Sequence, residues 1–209
     1  AGNTGVQMGG WFNKEINSLN DLKGLKMRIP GLGGEVLKRA GGTPVNLPGG
    51  ELFTALKTGT IDATEWVSPY NDLAFGLHKA AKYYYYPGWH EPGTTLECFV
   101  NKDKYEELPE DLKSILLGAS KMANIDMLCE IISKNNEALE VLKNKHNVDI
   151  RSYPEEVLNE LYEISIKVVK ELSLSNDFAK EVYNSYASFQ KKTRNWNDIS
   201  IKPYLNANK

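Results

Sequence analysis

From Pro109 onward, Leu112, Ile115, Leu116, Ala119 and Ala123 recur at helical spacing. The pattern continues with interruptions to Leu142, after which Lys143, Lys145 and His146 suit a helix C-terminus. About 35 residues rising ~1.5 Å each make a rod roughly 50 Å long. That exceeds the width of one small lobe, so the rod is predicted to bridge separate parts of the fold.

Ahead of the rod, short strand and helix signals alternate: KMRIP after LNDLKG, a helix near GEVLKRAGG, then PVNLP, a helix near ELFTALKTG, and IDATEWV. Such alternation reads as an α/β lobe with a largely parallel sheet. Gly41 and Gly59 each follow a short amphipathic run, where a left-handed C-terminal cap favours glycine. Ser68 and Pro69 read as cap and first residue of the next helix. KYYYYP is β-prone, and LECFV is a further strand candidate after the WHEPG turn. Two more helices are expected beyond the rod. The first is announced by Ser152 and Glu155, a capping box enclosing Pro154. The second carries Phe178, Val182, Tyr186 and Phe189 on one face, which points to core or partner contacts.

With 25 basic and 27 acidic residues and a formal charge of -2, the chain is not built to lie on nucleic acid. An anion site must therefore be local. No apolar run reaches the ~18 residues that a bilayer span requires. The opening AGNTGVQMGGWF lacks the basic and apolar segments of a secretion signal. Cys98, on an expected strand, and Cys129, in an expected helix, are read as buried free thiols rather than a disulfide.

Arg28 closes a predicted strand just before a glycine-rich loop, at the strand end where open α/β sheets bind ligands. Its planar guanidinium can hold a carboxylate through two parallel bonds, although a surface ion pair is the ordinary alternative. Glu65 and Trp66 end IDATEWV in the equivalent place, and Glu91 lies in WHEPG. Two glutamates near an arginine can serve as acid and base, as oxygen ligands for a cation, or simply as solvated charges. Asn3 and Gln7 sit in the glycine-rich GNTGVQMGG, which can approach a ligand or merely turn the chain. Neither that segment nor GLGGEV has the spacing of a nucleotide-phosphate loop. His78, His90 and His146 are scattered, without zinc-ligand spacing. No G-x-S-x-G nucleophile elbow is present.

The succession QMGGWF, NDLKGLKMRIPG, ELFTALKTGTIDATEW and KYYYYPGWHEPG resembles the substrate-binding subunits of tripartite ATP-independent periplasmic (TRAP) transporters. ATEW and YYPGWHEPG point to the branch that binds 2-oxo acids such as pyruvate and related monocarboxylates such as lactate. The resemblance covers essentially the whole chain but begins in the middle of a family member, leaving the family's N-terminal lobe and signal peptide outside it. It implies a periplasmic-binding-protein-like α/β fold, with residues 1–65 as the second lobe and 66–95 crossing to the first lobe and back. Residues 96–209 would supply a return strand, the long bridging helix and C-terminal helices able to support a homodimer. It implies that Arg28 grips the substrate carboxylate, with Asn3, Gln7 and Trp66 as further substrate-binding residues. Gln7, Glu65, the Trp66 main-chain oxygen and Glu91 would bind a cation that touches the same substrate. One arginine against two glutamates and a monoanion leaves -2 in a closed cleft, which a hard cation such as Na⁺ or Ca²⁺ would relieve. The implied function is non-enzymatic capture of a small organic acid in the periplasm and delivery to the TRAP membrane subunits. A periplasmic sensing domain and a metal-assisted lyase or hydrolase are the alternatives.

Overall fold

The alternating segments of the N-terminal half fold into a mixed sheet with helices against it, in a computed structural model that describes residues 1–207. In chain order the elements are β1 (Gly2–Asn3), β2 (Gly10–Phe12), β3 (Lys26–Arg28), α1 (Gly31–Arg39), β4 (Thr43–Val45), α2 (Leu52–Lys57), β5 (Ala63–Thr64) and α3 (Pro69–Ala74). They are followed by β6 (Tyr83–Tyr86), β7 (Thr95–Leu96), α4 (Lys102–Glu106), α5 (Glu110–Glu140), β8 (Asp149–Ser152), α6 (Glu155–Ser173), α7 (Asp177–Ile199) and α8 (Ile201–Ala207).

The main sheet has the order β4-β3-β5-β2-β6-β8. β3 runs parallel to β4 and β5, and β6 runs parallel to β8, while β2 is antiparallel to both of its neighbours, β5 and β6. The expectation of a largely parallel sheet therefore needs one correction, the reversed strand β2 in its middle. Strand alternation sorts the aromatic residues onto two faces. Trp11 pairs with Tyr84 and stacks on it at 4.1 Å. These two join Leu52, Leu56, Ile61, Leu77 and Leu142 in one buried cluster. On the other face Phe12, Tyr85 and Tyr153 pack together, and in α6 Val157, Leu161 and Ile164 are buried.

Helix ends follow the sequence signals in part. Gly41 and Gly59 adopt the expected left-handed conformation, with φ of 95° and 75°. Ser68 is the N-cap of α3 and Pro69 its first residue, yet the Ser68 hydroxyl makes no capping bond. A different side chain, Asp72, reaches back to the Val67 N–H at 3.1 Å. Of LECFV only Leu96 is in a strand, as the second residue of β7, which pairs antiparallel with β1 in a separate ribbon. Beyond Leu96 neither side offers a partner backbone among the described residues, so 97–100 do not extend the strand. Cys98 and Cys129 are free, as expected, but both are exposed rather than buried.

α5 forms where the long helical pattern lies and continues as a π-helical turn over Val141–Lys145. Its 31 residues span about 46 Å. α5 packs on α3 and β1. Ile131 and Ala138 are buried in its second half, whereas Ile115, Met122 and Ile125 are more than half exposed. No helix of the described residues is long and apolar enough to cross a membrane.

The chain divides into two compact units, one from Ala1 to Ile164 and one from Ser165 onward. The second unit comprises the end of α6 with α7 and α8. Phe178, Val182, Tyr186 and Phe189 are all more than half exposed there.

Candidate functional site

The reversal of β2 decides which residues meet. β3 and β5 are parallel, so Arg28 and Glu65 arrive at the same sheet edge at their C-terminal ends. β2 runs the other way, which brings the segment preceding it, with Gln7, to that edge. β6 reverses again, and the Pro87–Glu91 turn that follows it also lies there. Backbone bonds then zip the two loops together: Thr4 N–H donates to the Thr94 carbonyl at 3.0 Å, Gln7 N–H to Pro92 at 3.3 Å, and Gly88 N–H to Gln7 at 3.2 Å. Gly88 must be glycine for this approach, because a Cβ there would stand 2.7 Å from the Gln7 carbonyl oxygen.

Arg28 Nη1 forms a close ion pair with Glu65 Oε1, and Nε donates to the Leu47 carbonyl at 3.2 Å. Its guanidinium carbon lies 5.7 Å from the centroid of the Trp66 ring, near enough for a cation–π contribution. Nη2 has no partner among the described residues. Glu65 is 3% exposed, and its other oxygen lies 3.3 Å from His90 Nε2 without hydrogen-bond alignment. Glu91 Oε1 accepts a close bond from the Thr94 hydroxyl. That hydroxyl in turn accepts from Gln7 Nε2 at 2.8 Å, and the same nitrogen donates to Thr4 Oγ1 at 3.0 Å. With both amide protons directed this way, the Gln7 carbonyl oxygen is fixed on the opposite side, buried and without a partner.

A carboxylate oxygen from each of Glu65 and Glu91 and a ring nitrogen of His90 lie within 4.8 Å of one another. Two neighbouring carboxylates, with an orphaned buried amide oxygen on the side chain tied to one of them through Thr94, offer the oxygen donors that a hard cation takes. The structure thus joins Arg28, Gln7, Glu65, Trp66 and Glu91 in one constellation. Asn3 stands apart from it: its Oδ1 accepts the Gly5 N–H at 2.8 Å and turns the chain. It borders a neighbouring cleft of about 730 Å³ with Val6, Pro92, Leu128, Ile132 and Asn135.

Three participants escaped the sequence reading. His90, dismissed with the scattered histidines, stands at Glu65, and its position beside Glu91 in WHEPG was the available signal. Thr94 and Thr4 orient Gln7, and nothing in their spacing announced it. Behind the site, Asp72 is fully buried and accepts from Trp11 Nε1 at 2.9 Å, Tyr84 Oη at 2.7 Å and the Val67 N–H. Burial pushes its carboxyl up to about 6, against the pull of the Tyr84 and Trp11 donors.

The mixed α/β sheet thus brings an arginine, two glutamates and an orphaned amide oxygen toward one edge. The model of the family described as DctP, bacterial extracellular solute-binding protein, family 7, matches residues 1–176, and the chain belongs to that family. It is 45% identical over 206 residues to a monocarboxylate 2-oxoacid-binding periplasmic protein of Nostoc sp. PCC 7120, covering 99% of this chain and 56% of the relative. The chain thus spans about half the length of that curated relative. Among solved structures it is similar to a TRAP periplasmic solute-binding protein from Colwellia psychrerythraea with bound calcium and pyruvate. That match has a TM-score of 0.94 and 46% identity over 99% of this chain and 63% of the other. A second, from Pseudoalteromonas atlantica with bound sodium and pyruvate, has a TM-score of 0.93 and 45% identity over 98% and 62% of the two chains.

Proposed function

We propose that this chain supplies the anion-gripping part of a periplasmic TRAP receptor that captures a small 2-oxo monocarboxylate, of the size of pyruvate, together with Na⁺ or Ca²⁺. The observation that carries the reading is the closeness of two carboxylates, Glu65 with Arg28 held against it and Glu91 linked through Thr94 to the amide of Gln7, whose buried oxygen has no partner. The cation is bound by Gln7, Glu65, the Trp66 carbonyl and Glu91. Once it takes over Glu65, Arg28 Nη1 is released to join Nη2 as a two-point grip on the substrate carboxylate. Asn3 contributes from the adjoining cleft after its side chain leaves the Gly5 turn.

Capture needs no covalent chemistry. Residues 1–65 act as one lobe, 66–95 cross to the other lobe and back, and the α5 rod in 96–209 braces both. Closure is a population shift, so the ligand must favour the closed form over the open one. The closed receptor then presents its ligand to the transporter's membrane subunits. The exposed aromatic face of α7 pairs two copies of the chain. Calorimetry with a panel of 2-oxo and 2-hydroxy acids, with and without Na⁺ or Ca²⁺, tests the substrate and the cation together. Cation-dependent binding of the acid supports the reading, and an acid that comes back chemically altered would mark an enzyme instead. Sedimentation at graded concentrations tests the pairing.

A further inference from the structure

We infer that Asp72 is a positioning residue for the cation, acting through the single peptide that joins Trp66 to Val67. The inference rests on the proposed role of the Trp66 carbonyl as a cation ligand. That peptide is trans, so its C=O and N–H point in opposite directions along one rigid plane. Its N–H is held by Asp72 Oδ1 at 3.1 Å on the buried side. Its C=O is therefore aimed away from the core, and no donor among the described residues reaches that oxygen. The preceding carbonyl differs, because Glu65 O takes the Thr64 hydroxyl at 2.9 Å. The Trp66 side chain is fixed as well: a Cβ on Gly49 would stand 2.7 Å from the ring, and Phe75 packs against it at 4.6 Å.

A buried carboxylate is a costly way to start the six-residue helix α3, for which a neutral acceptor would serve. It does what a neutral group cannot. A negative charge on the N–H end of a peptide polarises the unit and makes its carbonyl oxygen a stronger donor to a cation. The same charge adds an attraction to the cation itself. Trp11 and Tyr84 both donate to Oδ2 and leave Oδ1 to the peptide. They temper the charge, and the stack they form fixes where it sits.

Trp is followed by Val only at residues 66 and 67. The intact protein labelled with carbonyl-¹³C tryptophan and ¹⁵N valine therefore gives a single carbonyl–amide cross-peak, which reports this peptide alone. At about pH 8, Ca²⁺ is expected to move both coordinates of the peak in wild type. Asp72→Asn is expected to weaken Ca²⁺ binding about tenfold, the size of a lost charge-assisted bond, and Na⁺ binding by a smaller factor. Tyr84→Phe removes a donor and strengthens the charge, so Ca²⁺ should bind equally or more tightly. Wild-type Ca²⁺ affinity in Asp72→Asn overturns the inference. So does a loss in Tyr84→Phe, the result expected if the buried network were merely structural, and that arm decides the matter if Asp72→Asn does not fold. A wild-type peak that stays still while calorimetry records Ca²⁺ binding removes the Trp66 ligand itself, a failure of the preceding proposal that is separately visible.

Discussion

Arg28 and Glu65 stand at the ends of neighbouring parallel strands and neutralise each other across a close ion pair, with only 12% and 3% of their side chains exposed. The pair sets the terms on which anything else binds, because an anion and a cation each want one half of it.

Cation and acid should therefore bind cooperatively. Saturating Ca²⁺ is expected to raise affinity for the acid about tenfold or more, and saturating acid must raise Ca²⁺ affinity by the same factor. Paired calorimetric titrations measure both. Acid affinity unchanged in verified metal-free protein would remove the link.

Arg28→Lys keeps the charge but loses the planar fork that can meet Glu65 and a carboxylate together. Affinity for the acid should fall about tenfold to a hundredfold, from a charge-assisted bond contributing ~1.5 to 3 kcal/mol. The melting temperature checks that the fold survives; near-wild-type affinity would remove Arg28 from the grip.

Gln7→Glu places a third carboxylate where one Thr94 hydroxyl proton already serves Glu91. The metal-free protein should be less stable, while the site gains affinity for Ca²⁺ relative to Na⁺ because the extra charge is better balanced by a divalent ion. Denaturation midpoints and competition titrations read the two effects, and an unchanged ion preference contradicts the placement of Gln7.

Asp72 gives stability a definite pH dependence. Its carboxyl is raised from 3.8 to about 6 in the fold, so the folded state holds a proton that the unfolded chain has released between those values. That contribution is fully present below about pH 4 and is lost as pH rises through about 6, a change on the order of 3 kcal/mol. Urea titrations of wild type and Asp72→Asn across this window should differ in slope, the variant being flatter. Parallel curves would contradict the raised value.

How much of this was legible follows from what kind of signal each residue carries. Arg28, Glu65 and Trp66 were readable because glycine-capped helices and short apolar strands locate strand ends, and the blocks that resemble a known family agree with those ends. α5 was readable because apolar residues recur at helical spacing, though with interruptions, from Leu112 to Leu142. β2 was not, since Gly10, Trp11 and Phe12 have no alternation to show, and their extended form is set by β5 and β6 on either side. His90 and Asp72 were missed for a related reason: their roles are contacts with Glu65, Trp11 and Tyr84, well apart in sequence and joined only by the sheet. LECFV had the composition of a strand, but beyond Leu96, which pairs with Gly2, residues 97–100 have no strand partner.

The alternating strand directions have one more result. Apart from Asn3 in the β1–β7 ribbon, every group proposed to touch ligand or ion lies toward one rim of the main sheet. The opposite rim holds the Asn13–Leu25 and Gly59–Asp62 connections, tied by the Lys14–Asp62 ion pair at 2.8 Å and the Asp62 bond to the Lys26 N–H at 3.0 Å. Strands of three residues separate the two rims by about 10 Å. The far rim is thus the natural place to splice in a fluorescent reporter: it is distant enough to leave recognition untouched, yet mounted on the same strands that bear the ligand-facing residues.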